Sequence, residues 1–70
     1  MILRINEIIQ DKLFLIKNKV IDIVKTDNYR YVGFKIVYLG ESSICIECQK
    51  NKLLEIVRYG EIKFVDTGKD

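Results

Sequence analysis

From residue 20 onward the chain alternates short apolar runs, rich in β-branched and aromatic residues, with compact turn signals, a punctuation that favours strands over helices. Val20-Ile21-Asp22-Ile23-Val24 is followed by Thr26-Asp27-Asn28, whose short polar side chains suit a turn. In the long run from Tyr29 to Leu39, simple alternation puts Val32, Phe34, Ile36 and Tyr38 on one face. Tyr31, Lys35 and Val37 fall on the other. Gly33 interrupts this run, as glycine does at a bulge or a sharp bend. After the loop Gly40-Glu41-Ser42-Ser43, Ile44, Ile46 and Cys48 alternate with Cys45, Glu47 and Gln49, and Lys50-Asn51-Lys52 turns the chain back. Leu53 to Tyr59 and Ile62 to Val65 complete five strands, with Gly60 between the last two.

Ahead of the strands, Ile5, Ile8, Ile9, Leu13 and Ile16 recur at helical spacing, opposite Asn6, Glu7, Gln10 and Asp11. The spacing predicts a helix over roughly residues 5 to 12, whose apolar stripe packs on the strands and closes one end. Leu13 to Ile16 either continues that helix or opens a strand. The expected fold is therefore mainly β: a short N-terminal helix followed by a five-stranded, strongly bent small barrel. Residues 1–66 would form this single domain, and residues 67–70 a frayed polar tail.

Size and charge limit what such a domain does. A chain of 70 residues buries only about 60% of its unfolded surface, so pairing with another copy is a natural source of stability. Twelve basic residues against ten acidic ones leave a net charge of +2, too even to imply nucleic acid from electrostatics alone. The longest uninterrupted apolar run, Leu13-Phe14-Leu15-Ile16, is far below the roughly 20 residues that span a bilayer. Arg4, Asn6 and Glu7 interrupt the start of the chain, which contains no alanine, so it does not read as a secretory signal. A cytoplasmic protein without a membrane partner is expected.

Catalytic chemistry finds little to work with. Cys45-Ile46-Glu47-Cys48 has Cys-x-x-Cys spacing, but a structural zinc site needs four ligands and the chain has no histidine and no further cysteine. A redox Cys-x-x-Cys works at a helix N-terminus, whereas these two thiols lie in a strand pattern. Residues three apart on a strand are roughly 10 Å apart and face opposite ways, which excludes a disulfide between them. Ser42 and Ser43 lack a histidine to activate them, and the glycines are scattered singly rather than gathered into a phosphate loop. Asp22, Glu47 and Glu55 fall on strand positions that are ordinarily solvated. No catalytic residue, metal site, cofactor or small-molecule substrate is expected.

Two clusters suit a partner better. Tyr29-Arg30-Tyr31 with Lys35, and Arg58-Tyr59 with Lys63, combine aromatic rings that stack on unpaired bases with cations that meet phosphates. The same residues also suit the solvent-facing side of a twisted strand. The candidate surface, for a protein or for single-stranded RNA, is Arg30, Tyr31, Lys35, Arg58, Tyr59 and Lys63.

With a helix ahead of five bent strands, the order resembles an Sm-like domain over nearly the whole chain. Tyr31-Val32-Gly33-Phe34-Lys35-Ile36 is similar to that family's second strand, which carries a glycine at its bend, and Ile44-Cys45-Ile46-Glu47-Cys48 to its third. Ile56-Val57-Arg58-Tyr59-Gly60-Glu61-Ile62 resembles the motif with an Arg-Gly pair before the last strand, although here Tyr59 separates Arg58 from Gly60. The loop that would present an acidic residue and an asparagine to RNA reads Leu39-Gly40-Glu41-Ser42-Ser43. The resemblance implies a ring that binds uridine-rich RNA; other SH3-like barrels share the strand order without ring or RNA, and fold does not decide between them.

The expected function is a small non-enzymatic binding module acting through protein–protein interaction or self-assembly, with single-stranded RNA binding by an Sm-like oligomer as the alternative. Apolar residues fall on both faces near Val37 and Leu39, and Leu53, Val57 and Tyr59 lie opposite Leu54 and Ile56. That is more than one small sheet buries, and it predicts a homo-oligomer joined through strand edges.

Overall fold

The computed structural model describes residues 2–4 and 10–68. In chain order these form β1 (Ile2–Arg4), α1 (Gln10–Leu15), β2 (Ile21–Lys25), β3 (Arg30–Leu39), β4 (Ser43–Cys48), β5 (Leu54–Arg58), a 3-10 turn (Tyr59–Glu61) and β6 (Ile62–Asp66). The strands pair antiparallel throughout, in the order β1-β6-β2-β3-β4-β5. Among the described residues the fold is thus mainly β with one short helix.

The turns form where short polar side chains fold back on the backbone. Asp27 Oδ1 accepts the Tyr29 N–H at 2.9 Å, and Asn51 Oδ1 accepts the Leu53 N–H at 3.0 Å. Asn28 and Lys52 take the positive φ that each turn requires, at 71° and 65°.

Two irregularities bend β3 and correct the expected faces. Gly33 has φ of 71°, and the pairing of β3 with β4 slips between Ile36 and Tyr38. Each slip inserts a residue and reverses the phase of the alternation that follows. Tyr31, Phe34, Ile36 and Leu39 consequently face the core, while Val32 and Tyr38 turn to solvent. The Gly33 bend is held from both sides: its N–H donates to Asp22 Oδ1 at 3.1 Å and its carbonyl accepts from the Gln49 N–H at 3.0 Å.

These bends curl β2 to β6 around one core of Ile21, Ile23, Ile36, Ile44, Ile46, Val57, Ile62 and Val65, with Leu13 and Ile16 packed into it. The hydrogen-bonded ladder nevertheless stays open. β1 and β5 are its edges, and among the described residues no ladder joins β5 to β6, so the closed barrel expected from the alternation is not completed by pairing. The 3-10 turn carries the chain across that gap instead, and Glu61 C=O accepts the Thr26 N–H at 2.9 Å beyond the end of β2.

The helix also differs from expectation. It runs over Gln10–Leu15, so the ambiguous Leu13 to Leu15 stretch is helical, and its exit is fixed by an Asn18 N–H that donates to Ile36 C=O at 3.2 Å. Ile5, Ile8 and Ile9 of the predicted stripe lie outside the described residues. β1 was not anticipated: Ile2, Leu3 and Arg4 pair with Asp66, Val65 and Phe64 and cover the outer edge of β6. At the other end Gly68 N–H donates to Asp66 Oδ1 at 2.8 Å, so the chain turns there; residues 69 and 70 lie outside the described residues. Among the described residues no helix is long and apolar enough to cross a membrane.

Candidate interaction surface

β5 reads Leu54-Glu55-Ile56-Val57-Arg58, and only Val57 is buried. Alternation sends Val57 into the core and Leu54 and Ile56 outward, where they are 60% and 71% exposed. Register extends this face across the sheet. Ile56 lies opposite Cys45 and Cys45 opposite Tyr38, itself 65% exposed; in the neighbouring row Leu54 lies opposite Glu47 and Glu47 opposite Lys35. The result is an apolar row beside a charged one, both ending at the open edge of the sheet.

The edge has a definite polarity. Cys48 N–H donates to Leu53 C=O at 2.8 Å, and Tyr59 N–H to Ser42 C=O at 3.1 Å. Bonded pairs alternate along an antiparallel ladder, so Leu53, Glu55, Val57 and Tyr59 direct their amides at β4. Leu54, Ile56 and Arg58 direct theirs outward. The Arg58 N–H is met there by Glu61 Oε1 at 3.3 Å. β5 carries no bulge in its pairing with β4 and the chain has no proline, two devices that ordinarily blunt such an edge.

The six residues proposed from sequence fall into three groups. Lys35 and Arg58 lie on the outer face of β3 to β5 just described. Tyr31 and Tyr59 point the other way and pack against the core, and Tyr59 Oη donates to Gly40 C=O at 2.7 Å. Tyr31 meets Tyr29 and Phe34 edge-on, with ring centroids 4.9 and 5.2 Å apart, and burial pushes its phenol above the usual 10.0. Arg30 and Lys63 lie at the β2–β6 end of the sheet, away from β4 and β5. Lys63 Nζ donates to Asn28 Oδ1 at 3.0 Å. Arg30 bridges two carboxylates, donating to Asp22 Oδ2 at 3.0 Å and to Asp66 Oδ2 at 3.2 Å.

Asp22 and Asp66 are direct neighbours across β2 and β6, a like-charge pair whose repulsion Arg30 offsets by bridging them. Asp22, expected to be merely solvated, thereby holds both Arg30 and the Gly33 bend. The Gly68 N–H, and next the Arg30 guanidinium, hold the Asp66 carboxyl below its ordinary 3.8. A carboxylate with a depressed folded-state pKa contributes stability that is present above its unfolded pKa and is lost as pH falls through the folded value. Denaturant midpoints should therefore fall as pH drops below about 4, and Asp66→Asn should flatten that acid limb. An acid limb of unchanged depth in the variant would refute this role.

Cys45 and Cys48 are free and half-buried, Cys45 on the outer row and Cys48 opposite Phe34. Among the described residues no group of three or more histidine, cysteine or acidic side chains is placed to hold a metal ion. No protein-family model, curated protein or solved structure matches the chain.

Proposed function

We propose that this protein is a small non-enzymatic binding module that works by protein–protein association through the outer edge of β5. The observation that carries this reading is the coincidence, on one strand, of outward-aimed amides with the exposed Leu54 and Ile56. An added strand satisfies such amides and covers such side chains together, and two exposed apolar residues on an edge are costly to leave in water. The short helix followed by five bent antiparallel strands supports a small-barrel kinship of the Sm-like or SH3-like kind, which is a scaffold rather than a function.

Light scattering at micromolar concentration tests the self-association form of this reading. The expected result is a mass above the 8.2 kDa of one chain that holds between roughly 0.05 and 0.5 M salt, because apolar burial and backbone pairing are screened far less than surface charge. A monomer over the whole range would overturn self-association.

A second reading, single-stranded RNA, draws on Tyr29, which is exposed with Lys25 Nζ 5.9 Å from its ring centroid. An exposed ring beside a cation suits a stacked base and its phosphate. Binding of this kind weakens steeply with salt, which separates it from the apolar edge. Arg30, held between Asp22 and Asp66, brings that surface little free charge.

A further inference from the structure

The open edge of β5 also specifies how a second copy would sit, granted the self-association reading above. Among strands β2 to β6, β6 would be the other edge available to a neighbour, but β1 already occupies it. Among the described residues, only β5 offers a free edge of five residues. When one edge must serve both partners, the contact is self-complementary and closes as a two-fold dimer rather than propagating as a ring.

We propose that two copies pair β5 antiparallel to β5 about a two-fold axis, with Ile56 opposite the partner's Ile56. A two-fold axis perpendicular to the sheet keeps inner faces aligned with inner faces, so it passes through a residue pair and leaves three registers to compare. Centring on Glu55 sets it against the partner's Glu55, a like-charge pair, and the outward amides that then meet are those of Leu54 and Ile56 alone. Centring on Val57 sets Glu55 against the partner's Tyr59, which lies in the 3-10 turn rather than in a strand. Centring on Ile56 brings all three outward residues together: Ile56 faces its twin, and Leu54 faces the partner's Arg58 on both sides of the axis.

Each such pair exchanges two hydrogen bonds, so this register forms about six, of which about four leave the Glu61 contact to the Arg58 N–H undisturbed. The other two registers form about four.

Side chains favour the same register. The partner's Arg58 continues the row Lys35–Glu47–Leu54, two strands or about 10 Å from Glu47. Its stem lies over Leu54 while its guanidinium reaches toward the Glu47 carboxylate. In the adjacent row Tyr38, Cys45 and Ile56 meet the partner's Ile56, Cys45 and Tyr38, so one apolar band runs unbroken across both sheets.

Cysteine substitution reads the register directly. In a Cys45→Ser/Cys48→Ser background, Ile56→Cys should form an intermolecular disulfide in high yield under mild diamide oxidation. Paired Cα atoms at a bonded position are about 5.5 Å apart, within disulfide range. Leu54→Cys and Arg58→Cys should each crosslink poorly alone and efficiently when mixed. Ile56→Asp, at a site already 71% exposed, should leave circular dichroism unchanged and weaken dimerisation on the order of 100-fold. An oligomer larger than a dimer, or one that crosslinks best at another position, would overturn the two-fold β5 pairing while leaving self-association intact. A monomer without crosslinks would overturn both.

Discussion

Leu13→Ala is expected to lower the stability of the fold by about 2–5 kcal/mol, whereas Phe14→Ala should stay within about 0.5 kcal/mol of the parent. The two residues are chain neighbours on α1, yet Leu13 is 0% exposed and Phe14 64%. Leu13 fills the end of the core beside Ile16, and its removal leaves a cavity that the sheet cannot collapse to fill. A domain of this size rarely has more than about 3–5 kcal/mol in hand, so the first variant should be largely unfolded at 37 °C. Urea titrations followed by circular dichroism decide it. Equal, small effects at both positions would mean that α1 is an appendage rather than part of the core.

The glycines should separate just as sharply. Gly40→Ala places a Cβ 2.8 Å from the Ser43 carbonyl oxygen, a clash with backbone that only movement of the loop relieves. That movement strains the Gly40 N–H to Ser43 C=O bond at 2.8 Å and displaces the acceptor of the Tyr59 hydroxyl. A loss of about 2–3 kcal/mol is expected. Gly33→Ala meets open space but must hold φ at 71°, which costs about 1–2 kcal/mol. Gly60→Ala meets neither obstacle and should be neutral or stabilising by up to about 1 kcal/mol. Denaturant midpoints for the three variants give the order, and a Gly60 variant as damaged as the Gly40 one would show that contact geometry is not what distinguishes them.

Gly60 also illustrates where sequence reasoning reached and where it stopped. The position reads as a strand breaker, and a break does occur there, but the 3-10 turn makes it with room for any small side chain. The five strands after residue 20 were legible almost to the residue, because alternation and turn chemistry are local signals. β1 was not, because nothing in Ile2-Leu3-Arg4 distinguishes it from the head of the isoleucine stripe; its strand character depends on an edge of β6 supplied from the far end of the chain.

The site divides the same way. Apolar residues on both faces of the Leu53–Tyr59 stretch announced an unburied surface, and Leu54 and Ile56 are that surface. Arg30 was assigned to a partner because the pairing that sets Asp22 beside Asp66 is non-local. An isolated carboxylate in the β-branched run Ile21-Asp22-Ile23 was the available hint that something must neutralise it. The six-residue candidate surface mixed residues from both faces: alternation alone separates Arg30 from Tyr31 and Arg58 from Tyr59, whereas Tyr31 and Lys35 are parted by the bulge at Gly33, which period-two counting cannot see.

Those reversals of phase in β3 bear on how quickly the topology can be reached. The pairing of Asp22 with Asp66 spans roughly nine times the chain between Leu39 and Ile44, and closing the longer loop in an unstructured chain costs about 2 kcal/mol more in entropy. A meander that stayed flat would leave β6 stranded beyond β5, three strands from its partner. Once β3 has turned at Gly33 and again past Ile36, the end of β5 stands close enough to β2 for a single 3-10 turn to deliver β6 to the free edge of β2. Closure of the β2–β6 pair becomes a local event, and the search for this long-range contact is carried out in advance by the curvature of the longest strand.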